Sequence, residues 1–116
     1  MDVDDSHLGV LYIDPHPRKS KSGGAWCGYF TEQRYEDGKR VAPVVGIVCN
    51  FTPPVGDTPS LLSFDEAETM FHEFGHALHF LFADVRYRGL AEVEGDFVEL
   101  PSQIMENWAT EKEYLD

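Results

Sequence analysis

Residues 64–82, FDEAETMFHEFGHALHFLF, constrain the fold of this chain more than any other stretch. Apolar residues recur at Phe64, Ala67, Phe71, Phe74, Leu78 and Leu81, in steps of 3, 4, 3, 4 and 3. That is the period of one face of an α-helix. Ser63 followed by Glu66 is a capping-box signature, in which each side chain satisfies a backbone N–H at the other position. The pattern predicts a helix over about 64–82 whose apolar face must be covered by another element.

The flanking segments supply candidate partners. LGVLYID (8–14) is short, apolar and rich in strand formers, and it stops at Pro15. AWCGYFTEQRY (25–35) and VAPVVGIVCNF (41–51) read as two further strands around Asp37-Gly38, a hairpin turn in which both residues tolerate φ > 0. These segments predict a small antiparallel sheet over about 8–51. PHPRKSKSGG (15–24) reads as a solvated turn, and Trp26, Trp108 and the phenylalanines as core. A second helix is expected over about 97–113, with Pro101 delaying or bending its first turn. The expectation is one α+β domain spanning residues 1–116, a size that supports one core.

Charge excludes several partners. The chain carries 21 Asp and Glu against 9 Lys and Arg, a formal net charge of −12. Nucleic acid binding needs a basic patch, and anionic membrane surfaces repel such a chain. No run of about 18 apolar residues is present to span a membrane. MDVDDSHLGV has neither a basic stretch nor an apolar h-region, so it does not read as a secretory signal. A cytoplasmic location follows as the expectation, with Cys27 and Cys49 as reduced thiols.

The 64–82 helix also carries chemistry. His72 and His76 stand four apart, one turn along the same face, where two imidazoles can reach one metal ion. Glu73 is rotated about 100° from His72, which brings it near a water on that metal without making it a ligand. H-E-x-x-H is the zinc metallopeptidase signature, with the glutamate as general base. Gly75 sits between the histidines, at a cost of about 1 kcal/mol relative to Ala, and its smallness allows another chain segment to approach closely.

A catalytic zinc needs a third protein ligand. The metzincin pattern requires Gly at 79 and His at 82, and the chain has His79 and Phe82. His79 is two turns from His72 and reads as a packing histidine or one that supports a ligand. His7 and His16 lie in loop-like segments. On the second helix Glu99 and Glu106 are both placed to serve, and spacing alone leaves the choice open. Glu68, Asp96 and Glu106 are candidates to orient the imidazoles.

FDEAETMFHEFGHALHFLF followed by DFVELPSQIMENWAT resembles the thimet oligopeptidase and dipeptidyl carboxypeptidase family of zinc metallopeptidases. GGAW and VVGIVCNFTPPVGDTPSLLSFDE match the same pattern and look closest to its bacterial dipeptidyl carboxypeptidase branch. The resemblance covers roughly residues 8–116. It implies a zincin-like catalytic core with His72, His76 and Glu99 as ligands of one Zn2+. It also implies that Glu73 is the general base acting on a zinc-activated water, and that the substrates are short peptides.

Members of that family are several times longer, and their transition-state and substrate-binding side chains would lie beyond Asp116. The chain therefore reads as a fragment of a metallopeptidase catalytic domain, and the alternative to an active peptidase is a zinc-binding but inactive module. A fragment exposes surface that was once internal, which gives self-association a physical basis. The cleavage mode, endopeptidase or dipeptide-releasing, is left open.

Overall fold

The structure, a computed structural model, describes residues 6–115. Among these, five strands precede three helices: β1 (Val10–Asp14), β2 (Trp26–Thr31), β3 (Arg34–Glu36), β4 (Lys39–Val41), β5 (Val44–Val48), α1 (Phe64–Leu81), α2 (Glu99–Glu106) and α3 (Lys112–Leu115). A 3₁₀ turn, Asn107–Thr110, joins the last two helices. The described residues form an α+β arrangement.

The sheet differs from the antiparallel one expected. Its order is β1-β5-β2, with β5 antiparallel to β2 but parallel to β1. Residues 15–43 form the crossover that lets β1 and β5 run in the same direction. The strand expected over 25–35 breaks at Glu32 and Gln33, both buried. The strand expected over 41–51 breaks at Pro43, which has no N–H for a ladder but whose carbonyl accepts from the Val10 N–H at 3.0 Å. Asp37 (φ 51°) and Gly38 (φ 75°) do form a hairpin turn, but it closes the separate ribbon β3–β4. The 15–24 loop is mostly exposed, as expected, apart from residues 15, 16 and 21. It folds around Lys21, whose side chain is 5% exposed and donates to the Asp14 and His16 carbonyls.

The alternation of β5 decides where the core sits. Val45 and Ile47 point to one face and are fully buried, and Cys49 and Phe51 continue that cluster. Each such aliphatic side chain contributes about 1.5–3 kcal/mol by leaving water. Met70, Phe74, Ala77 and Leu81 of α1 pack onto this face. The stripe expected from periodicity shares only Phe74 and Leu81 with it. Phe64 is half exposed, and Leu78 instead lines a cleft with Pro101. The reason is that α1 lies between two partners, the sheet and α2, and so needs apolar residues on two sides. Trp26 (52% exposed) and Trp108 (44% exposed) are also outside the core expected for them.

Both ends of the helix pair have local causes. Ser63 Oγ accepts from the Glu66 N–H at 3.2 Å, and Glu66 Oε2 accepts from the Ser63 N–H at 2.9 Å. Glu66 Oε1 also accepts from the Thr52 N–H at 2.7 Å, tying the preceding loop to the helix start. Pro101 leaves α2 undisturbed because it falls in the first turn, where an N–H has no intrahelical partner. The helix expected to reach about residue 113 ends at Glu106. There the Asn107 side chain donates to Ile104 O and Thr110 Oγ1 to Asn107 O, competing with the backbone for those carbonyls.

The connector between α1 and α2 is held by buried acceptors at the end of β2. Gln33 Oε1 accepts from the Val85 N–H at 2.7 Å and Glu32 Oε1 from the Gly89 N–H at 2.5 Å. Tyr35 OH donates to Asp84 at 3.1 Å.

α1 and α2 approach closely at Gly75. A Cβ there would lie 2.5 Å from both Pro101 O and Ser102 Cα, inside any real contact. Gly75→Ala is therefore expected to destabilise the fold by about 1–3 kcal/mol as the helices are forced apart. Helix propensity alone would stabilise the same variant by about 1 kcal/mol. Urea unfolding distinguishes the two signs, and a more stable variant would refute the close contact.

Candidate functional site

α1 presents His72 and His76 on successive turns, with their ring centroids 5.0 Å apart and their planes at 79°. α2 brings Glu99 against both. Glu99 Oε2 lies 3.1 Å from His72 Nε2 and 3.2 Å from His76 Nε2. The three residues each offer one ligand atom, and those atoms all lie within 4.8 Å of one another. This is the one such group among the described residues. It unites residues 72, 76 and 99, which the sequence had singled out from two separate segments.

Each member is held from behind. His72 Nδ1 is 2.5 Å from Glu106 Oε1, one more α2 carboxylate. With Nδ1–H donated to that carboxylate, Nε2 carries the lone pair facing Glu99. Ser102, fully buried, donates its hydroxyl to Glu99 Oε2 at 2.8 Å. That hydrogen bond, followed by the nearby imidazoles, holds the Glu99 carboxyl below the ordinary carboxylate range. Burial pushes the His76 imidazole below its usual value, so neutral pH finds it uncharged and able to donate a lone pair.

Glu73 has a different environment. It is 6% exposed, and its Oε2 has no hydrogen-bond partner. A buried carboxylate oxygen without a donor is costly. Burial raises its pKa, His72 opposes the rise and the Glu99 charge adds to it. Glu73, His72, His76 and Glu99 share a cleft of about 390 Å3 with Trp26, Cys27 and Phe80. The donor set, with the Glu73 carboxyl in the same cleft, fits a cation with an attached water. Cys27 and Cys49 are free thiols, and burial raises them to about 12 and about 11.

Among the supporting candidates named from sequence, Glu106 meets an imidazole, and no hydrogen bond joins Glu68 or Asp96 to either histidine. His79 lies outside the trio, with its ring 5.9 Å from that of Phe80. His16 Nδ1 is instead 3.4 Å from Phe51 O, and His7 is exposed. Sequence reasoning missed Ser102 and Cys27. Ser102 had a signal, because a residue three past Glu99 on a helix is its neighbour. Cys27 had none, because only strand pairing brings β2 to the cleft.

Two helices that converge two imidazoles and a carboxylate, beside a buried glutamate, define a candidate metal centre of the kind metallopeptidases use. The chain belongs to peptidase family M3, whose sequence model matches residues 1–116. It is 49% identical over 111 residues to the dipeptidyl carboxypeptidase of Salmonella typhimurium, an alignment covering 94% of this chain and 16% of that protein. Against the Escherichia coli dipeptidyl carboxypeptidase the identity is 50% over 105 residues, covering 89% and 15%. Oligopeptidase A of Haemophilus influenzae is 40% identical over 119 residues, covering 99% and 18%. The chain thus spans only 15–18% of the length of these relatives.

The raised pKa of Glu73 has a consequence in metal-free protein. A carboxyl whose folded pKa lies above its unfolded value favours folding only while protonated, and that stability is lost as pH rises through the folded pKa. Glu73→Gln is therefore expected to be more stable than the parent at pH 7, in a chelator, with the difference vanishing below about pH 4.3, the ordinary glutamate value. Urea unfolding of both proteins at pH 4 and pH 7 measures this. Equal differences at the two pH values would contradict it.

Proposed function

We propose that the trio binds one zinc ion and that the site is the zinc centre of an oligopeptidase or peptidyl-dipeptidase acting on short peptides. The observation that carries this reading is the convergence of His72, His76 and Glu99 at 3.1–3.2 Å across two helices. Ligands at 2.0–2.1 Å from a tetrahedral zinc stand roughly 3.4 Å apart, so the two histidine–carboxylate separations need little adjustment. Two imidazoles with one carboxylate are also a donor set that catalytic zinc favours.

When bound, the ion supplies Lewis acidity, lowering the pKa of a water toward about 7 and polarising a carbonyl. Glu73 does the proton work as general base. Its carboxylate accepts a proton from water and returns it to the leaving amine. A pKa raised by burial suits both halves of that transfer, since the proton must be taken and then released. Glu106 orients His72, and Ser102 keeps the Glu99 carboxylate turned toward the imidazoles. β2 is an edge of its sheet, and Trp26 and Cys27 on it line the cleft. An extended peptide can add to that edge and lie across the site.

A second reading rests on the fact that the chain covers only 15–18% of its relatives. In it, residues 1–116 bind zinc but do not turn over peptide, and act as a structural or interaction module.

The primary test is metal content after gel filtration. One zinc per chain is expected in the parent, and none in His76→Ala. Absence of zinc from the parent, even after it is supplied, would refute both readings. Glu73→Gln should keep its zinc, and where the parent cleaves a short peptide it should lose about 10²–10⁴-fold in rate. Zinc loss in that variant would make Glu73 a ligand instead.

Glu106→Gln tests the support behind His72. Removing such a partner typically weakens metal affinity by about 10–100-fold, and competition with a chromophoric chelator reads this directly. Unchanged affinity would mean that Glu106 does not orient the imidazole.

A further inference from the structure

A second cavity, of about 240 Å3, opens beside the trio. It shares His76, Phe80 and Val98 with the cleft that holds Glu73 and Glu99, so the two are neighbours through a common wall. Its volume lies below the roughly 300–1,000 Å3 of small-molecule sites. It is sized for one side chain. The walls are Phe80, Val93 and Val98, together with the rings of His76 and His79. The one carboxylate in the lining is Glu92.

Glu92 is exposed and hydrogen-bonded. It stands on the connector between α1 and α2 and receives a hydrogen bond from Tyr29 OH, across from β2. That bond raises the Tyr29 phenol to about 12, so Tyr29 donates at any working pH. The Tyr29 ring in turn packs edge-on against Phe80, with centroids 5.2 Å apart. The neighbouring cation, Arg88, lies 4.0 Å from Glu32 and does not line the cavity. One tyrosine hydrogen bond leaves a carboxylate with unused acceptor capacity.

A cavity walled largely by apolar groups, with one carboxylate in its lining, matches a side chain with a methylene stem and a cationic head. We propose that this cavity is a specificity subsite, which takes a lysine or arginine side chain of a bound peptide and pairs its head with Glu92. The proposal rests on the peptidase reading, because it needs a peptide held across the neighbouring trio. It assigns Glu92 and Tyr29 to substrate selection, with Glu92 contacting the substrate and Tyr29 positioning Glu92.

The test compares lysine hydroxamate with norleucine hydroxamate, by calorimetry on zinc-loaded protein whose zinc stoichiometry has been measured. The two probes share the metal-binding group and the stem, so the ratio of their affinities isolates the cationic head. The parent is expected to favour lysine hydroxamate by about tenfold, the scale of one charge-assisted hydrogen bond. Glu92→Gln should bring the ratio to about one, with zinc content unchanged. Glu92→Lys should bring it below one.

A parent ratio near one, or a preference that survives in Glu92→Gln, overturns the proposal while leaving the zinc centre intact. Zinc-loaded protein that binds neither probe overturns it as well. A parent that holds no zinc overturns the peptidase reading itself, and the subsite with it.

Discussion

The contact on which the rest depends is the one between α1 and α2 at Gly75. The Cα of that residue faces Pro101 O and Ser102 Cα with no room for a side chain. Helices normally stand 8–10 Å apart depending on the side chains between them. A glycine removes that spacer at one point. His76 follows Gly75 directly, and Ser102 is hydrogen-bonded to Glu99. The place where the backbones meet is therefore also the place where the carboxylate is delivered to the imidazoles. Glycine inside a helix costs about 1 kcal/mol, and here that cost is offset by a contact no other residue permits.

The second requirement is that α1 be gripped from both sides. On one side β5 offers Val45 and Ile47, and α1 answers with Met70, Phe74, Ala77 and Leu81. On the other side α2 closes over Gly75. Between these packed sides runs the strip carrying His72 and His76, which meets Glu99 and Glu106 of α2. Glu73 falls at the border, buried but not hydrogen-bonded through Oε2. Native interiors rarely leave such an atom unpaired; Glu73 lines the same cleft as the metal-capable trio, and Gln33 Nε2 is a second such atom away from it.

The connector from residue 83 to 98 shows how loop placement is achieved without regular structure. Glu32 and Gln33 are nearly inaccessible, yet their side-chain oxygens accept backbone N–H groups of Gly89 and Val85. Two buried polar residues thus replace the ladder that a strand would have provided. Tyr29 and Tyr35 add side-chain bonds to Glu92 and Asp84. The entry to α2, and with it Glu99, is set by these contacts from the sheet.

Much of α1 was legible from residues 63–82, because capping and periodicity are local. Ser63 and Glu66 make their bonds within one turn, and the i, i+4 spacing of His72 and His76 brings their rings together wherever the helix is placed. The Asp37-Gly38 turn was legible for the same reason, since positive φ is a property of those two residues. The direction of β1 relative to β5 was not legible, because it depends on how residues 15–43 cross over. The split of the expected strands at Gln33 and Pro43 depended on tertiary hydrogen bonds to Val85 and Val10. Spacing could not choose between Glu99 and Glu106, since both lie on α2. The tertiary structure separates them, with Glu99 Oε2 facing both Nε2 atoms and Glu106 facing Nδ1 of His72. Local sequence determined which groups could act, and the packing of α2 on Gly75 decided which of them meet, because a distance across two helices is fixed only by the contact between them.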